Sequence, residues 1–131
     1  MTTFESSISI AQPIEKVYAF LSDLNNHQQL MPENIYNWSS TADEARFTIQ
    51  NMAKLALKVS FRIENAEILI EPSEEAPFAV NMRWLLAADG AGTTAKLIVS
   101  AELNMMMKIL ASGPLQKLVD YQTSALDKAL G

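Results

Sequence analysis

The residue type best suited to chemistry occurs once in this chain. It is His27, in the stretch SDLNNHQQLMP, with Asp23, Asn25 and Asn26 beside it. An imidazole serves as base or ligand near neutral pH, and its neighbours add oxygen and nitrogen atoms. A metal site wants three or four converging ligands, however, and only one strong ligand is present. His27 is therefore read as a structural residue at a helix end, with a place at the entrance of an interior space as its functional alternative. With no cysteine in the chain, disulfides, thiol catalysis and thiolate zinc sites are excluded.

Gln122 is the more informative residue. Its angular position puts it near the middle of the apolar stripe of a terminal helix, between Leu115, Val119 and Leu126. A buried amide needs partners; a strand backbone, a trapped water or the polar group of a ligand would each supply them. Tyr121 stands at the edge of the same stripe. Tyr36 and Trp38 alternate along one short candidate strand and are expected to face the same way. Met82 and Trp84 fall on the dry side of a second strand and Phe61 on the dry side of a third. Each has two readings, plain core or the adaptable lining of a pocket.

Met106 belongs to the run NMMMK. Three consecutive methionines cannot all face a core, so one or more should border a cavity, its mouth or an oligomer contact. Together with Gln122, Tyr121 and the five strand residues, Met106 completes the candidate ligand-binding set. No catalytic or metal-ligating residue is assigned. Arg62, Arg83 and Glu102 have outward parity, although a one-residue slip at a bulge near Arg83 would turn it inward. The turns SEEAP and DGAG match neither a calcium loop nor a phosphate loop, and no cofactor is called for.

The bulk numbers narrow the classes. One domain, 1–131, is the natural reading of 131 residues. With 49% hydrophobic and 19% charged residues, disorder is not expected. The net charge is −5, from 15 acidic and 10 basic side chains, and no Lys/Arg stripe offers a surface to nucleic acid. No basic region followed by an apolar core opens the chain, and no apolar run approaches a membrane span. The expectation is a cytoplasmic protein without integral membrane association.

The elements that must position these residues follow from periodicity. FESSISI reads as a strand with Phe4, Ser6, Ile8 and Ile10 on one side. Pro13 suits a first helical turn, and Ile14, Val17, Tyr18 and Leu21 repeat at helical spacing. This helix should fail between Ser22 and Asn26, with a second short helix up to Met31 and a stop at Pro32. From Ile35 to Leu103 the period is two, giving about six antiparallel strands. LALKVSFRIE is the clearest, with Leu55, Leu57, Val59, Phe61 and Ile63 expected on the dry face. Gly113-Pro114 is expected to divide the tail into an approach segment and a main helix, residues 114–130. A sheet wet on one side must bury the other, so a strongly curved antiparallel sheet wrapped round the terminal helix is the predicted α+β architecture, with the first strand beside the last.

In this order the elements resemble the START-like, Bet v 1-like (SRPBCC) superfamily, including its polyketide cyclase/dehydrase and lipid transport branch. The likeness spans almost the whole chain and rests locally on PIEKVYAFLSD after the first strand, on the passage HQQLMP, and on the terminal QKLVDYQTSALDKAL. The resemblance implies a helix-grip fold with a hydrophobic cavity between sheet and helix. Members bind sterols, lipids, hormones, polyketides or quinones, and some are cyclases or hydrolases. No catalytic set is common to them, so none is carried over. Three functions stay open: binding of a small hydrophobic ligand such as a lipid, isoprenoid or polyketide-like molecule; a cyclase, dehydratase or hydrolase using the same cavity; and a filled core serving protein contact, as in a homodimer.

Overall fold

The computed structural model describes residues 1–76 and 78–131. Strand β1 (Thr2–Ile10) leads into helix α1 (Ile14–Ser22), and a 3-10 helix (Leu24–Leu30) follows. Six strands come next: β2 (Ile35–Ser40), β3 (Glu44–Ile49), β4 (Ala53–Ile63), β5 (Glu67–Pro72), β6 (Val80–Asp89) and β7 (Gly92–Ala101). Helix α2 (Met105–Leu130) ends the chain. The strands form one antiparallel sheet in the order β1-β7-β6-β5-β4-β3-β2. The first strand thus pairs with the last, as the need to cover one apolar face suggested.

The core lies between the concave side of the sheet and α2. From β6, Val80, Met82, Trp84 and Leu86 are buried, and from β7, Ala95, Leu97, Val99 and Ala101. The buried positions of α2 are Ala111, Leu115, Val119, Gln122, Thr123 and Leu126, a single stripe at helical spacing. Polar side chains dock this helix along β1. Gln116 Nε2 donates to the Glu5 carbonyl at 3.1 Å, and Gln12 Nε2 to the Leu130 carbonyl at 2.8 Å. Thr123 Oγ1 and Ser6 Oγ are 2.7 Å apart. Among the described residues, no helix is long and apolar enough to cross a membrane.

Two bulges correct the expected strand faces. Between Tyr36 and Ser39 the pairing of β2 with β3 slips, so that Asn37 and Trp38 both stand opposite Phe47. Asn37 takes φ 57°, a region that asparagine tolerates better than most residues. Tyr36 and Trp38 therefore do not share a side: Tyr36 is exposed, while Trp38 stacks on Phe47 at 5.2 Å. In β4 the slip lies between Val59 and Phe61, leaving Ser60 as the extra residue. Beyond it the faces exchange. Phe61, expected on the dry side, is 40% exposed, and Ile63 is exposed with it.

Arg62, expected outward, instead reaches the end of α1, while Arg83 remains outside with its Nε 2.9 Å from Glu67 Oε2. Helix α2 brings another correction. It runs unbroken through Gly113 and Pro114. Proline removes the hydrogen bond to the Leu110 carbonyl, but Leu110 is itself exposed, so water can satisfy that group.

Candidate ligand-binding site

Gln122 occupies the middle of the buried α2 stripe and is 0% exposed. Among the described residues, neither its Oε1 nor its Nε2 has a hydrogen-bond partner. That rules out the strand-backbone bond considered from the sequence. Its side chain borders a cavity of about 30 Å³. The floor is apolar: Phe47 and Ile49 from β3, Leu55 and Leu57 from β4, Val80 and Met82 from β6, and Val99 from β7. Leu115 and Leu118 line it from the same helix as Gln122, and Met31 and Phe78 complete the lining. Asn81 is the other polar residue, and no charged side chain is among the described residues around the cavity.

A second void, about 10 Å³, lies towards His27 and Trp38. Met31, Phe47, Leu57 and Met82 border both spaces. The partition is thus partly methionine, the least rigid of the apolar side chains. On the other side, two surface grooves approach the cavity. One, about 320 Å³, runs between the β3–β4 turn and the first half of α2 and shares Ile49 with the cavity. The other, about 460 Å³, shares Phe78. Met52 and Met107 border both grooves.

His27 does not join Gln122. It is 1% exposed, and its Nε2 lies 2.8 Å from the Leu21 carbonyl. A carbonyl only accepts, so Nε2 carries the proton. Burial pushes the ring below its ordinary pKa, outweighing the opposite pull of that bond and of Asp23. His27 is one of three caps on α1, whose last carbonyls have no partner within the helix. Asn26 Nδ2 donates to the Phe20 carbonyl at 3.0 Å, and Arg62 Nη2 to the Ser22 carbonyl at 2.8 Å. Beside them, Trp38 Nε1 donates to Ser40 Oγ, which donates to Asn25 Oδ1. Among the described residues, no group of three or more His, Asp or Glu could hold a metal ion.

The remaining candidates divide. Met82 borders the cavity and Trp38 the second void. Trp84 is fully buried with an unpartnered Nε1 but is not among the residues around either space. Tyr36, Phe61, Tyr121 and Met106 are exposed and lie away from the cavity; Met106 is 71% exposed on the first turn of α2. Its neighbour Met107 is the methionine of that run at the groove mouth. The sequence reading missed Met31, Phe78 and Leu118. Phe78 read as the first residue of the strand FAVNMRWLL, directly after the turn SEEAP, and Met31 as a helix end.

No family model matches the sequence, and a search of curated proteins finds no match. Solved structures do match in fold. The solution structure of KanY superposes with a TM-score of 0.82 at 13% identity, covering 98% of this chain and 97% of that one. A START superfamily protein from Mycobacterium smegmatis gives 0.70 at 18% identity, covering 98% and 96%. DynU16, from the dynemicin biosynthetic locus, gives 0.69 at 15% identity over 98% of this chain and 46% of that chain. With its curved seven-stranded sheet closed by one long terminal helix, the chain has the START-like, Bet v 1-like helix-grip fold.

Proposed function

We propose that the protein binds a small hydrophobic molecule between its sheet and α2, with the Gln122 amide orienting the ligand's polar group. One observation carries this reading: a fully buried amide with no partner among the described residues, set in a mostly apolar cavity wall. Pockets of this type are mostly apolar with a few placed polar groups. A space of about 30 Å³ holds roughly one water, so ligand entry requires the walls to move. Met31 and Met82 can yield towards the second void, and Ile49 and Phe78 towards the grooves. The cyclase, dehydratase or hydrolase alternative needs a positioned acid or base. The described wall offers Gln122 and Asn81 only, which favours binding or carriage over acid–base catalysis.

Native mass spectrometry of freshly purified protein tests the reading, followed by denaturing extraction of any released molecule. A stoichiometric apolar adduct, depleted in Gln122→Leu, is the expected result. An adduct retained equally by that variant removes Gln122 from the site. If extracts and a panel of apolar probes give no adduct, while a lipid-binding control keeps its own, the interior is simply a filled core.

A further inference from the structure

Resting on the binding reading above, we infer that the ligand is electrically neutral and that its polar group is a hydroxyl or an equivalent donor-and-acceptor, seated on the Gln122 amide. A glutamine amide offers N–H donors on one side and a carbonyl acceptor on the other, and here both are unpartnered. A carboxylate or phosphate only accepts. It would answer Nε2 and set its lone pairs against Oε1. An ammonium only donates and would repeat the mismatch at Nε2. A hydroxyl accepts from Nε2 and donates to Oε1, so one oxygen answers both.

The charge argument points the same way. An ion in this cavity would lose its hydration without a counter-charge, because no described wall residue is charged. The cations of the ion pairs are engaged elsewhere: Arg46 with Glu74, Arg62 with Asp43, Arg83 with Glu67 and Lys96 with Glu5. Apart from Asn81, the rest of the described wall is aliphatic side chains, thioethers and the rings of Phe47 and Phe78, which select apolar surface.

Four probes with one alkyl chain separate these features: octan-1-ol, its methyl ether, octanoate and octylammonium, each titrated at pH 8 while the side-chain amide resonances of Gln122 are followed. The alcohol is expected to bind tightest and to shift the Gln122 resonances, with the two ions weaker by about tenfold or more. The methyl ether, which cannot donate, should fall between. In Gln122→Leu the alcohol should lose its advantage over the ether. Octanoate or octylammonium binding as well as the alcohol would overturn the inference while leaving the cavity a binding site. Failure of all four probes would remove the binding reading and this inference with it. The comparison on the unmodified chain stands even if the leucine variant does not fold.

Discussion

Two buried polar side chains, His27 and Gln122, sit on either side of a shared apolar partition and meet opposite fates. His27 donates to a carbonyl that α1 leaves open, and its neighbours Asn26 and Arg62 close the adjacent carbonyls. Gln122 is as deeply buried and has no partner among the described residues. Net stabilisation from a made hydrogen bond is about 1 kcal/mol, whereas leaving a buried group unmade costs about 1–3 kcal/mol. The His27 cluster therefore supports the fold, and Gln122 works against it unless something else occupies the cavity. Burial and polarity alone do not mark a site, and neither does a missing partner alone, as Trp84 Nε1 shows; at Gln122 the missing partner coincides with a cavity wall.

The comparison breaks most readily at His27. His27→Ala should destabilise the fold by about 3 kcal/mol, from the space it leaves and the exposed Leu21 carbonyl, measured by urea unfolding. Equal stability would show that the cluster is not structural. Gln122→Leu should move the other way, raising stability by about 1–2 kcal/mol in the ligand-free protein. A loss of similar size would mean that the amide is satisfied within the fold. Arg62→Met should lower stability by about 1–2 kcal/mol through the Ser22 carbonyl, without affecting ligand retention. The smallest effect is expected at Gly113, where an added Cβ meets nothing within 4 Å beyond its chain neighbours and the backbone of its own helix, and only the crowding by Pro114 opposes it. Gly113→Ala should raise the melting temperature, reflecting about 0.5–1 kcal/mol. A lower melting temperature would show that the turn before Pro114 needs glycine.

The same pair differs in its response to acid. Burial lowers the affinity of His27 for a proton in the folded state relative to its ordinary value of 6.5. Well above pH 6.5 both folded and unfolded chains hold a neutral ring, and stability is complete. As pH falls through 6.5 towards the lower folded value, the unfolded chain takes the proton first and stability is lost. Asp23 moderates this loss and does not reverse it. Urea midpoints at about pH 7.5 and about pH 5 should therefore fall more for the unmodified chain than for His27→Gln; equal falls would assign the acid sensitivity to other groups.

Much of the architecture could be read from one dimension because apolar periodicity is a local property. The period of two in VNMRWLL placed Met82 and Trp84 inside, and the helical spacing of Leu115, Val119 and Leu126 placed Gln122 among them. Periodicity fails where a residue is inserted into a ladder. At Asn37 the asparagine itself was a signal for a left-handed residue. Ser60 carries none, so Phe61 and Arg62 exchanged faces unseen. The proline rule placed a break at Pro114 that the exposed, hydrated side of α2 did not need.

By itself, then, the sequence determined the α+β class, the element order, the covering of the sheet by the terminal helix and the buried place of Gln122, all of which follow from hydrophobic spacing along the chain. Tertiary structure alone decided that Gln122 has no partner among the described residues, that Met31 and Phe78 come from distant segments to line its cavity, and that His27 is already engaged. The reason is physical: whether a polar group is satisfied depends on every atom within about 3 Å of it, and those atoms are set by how distant segments pack.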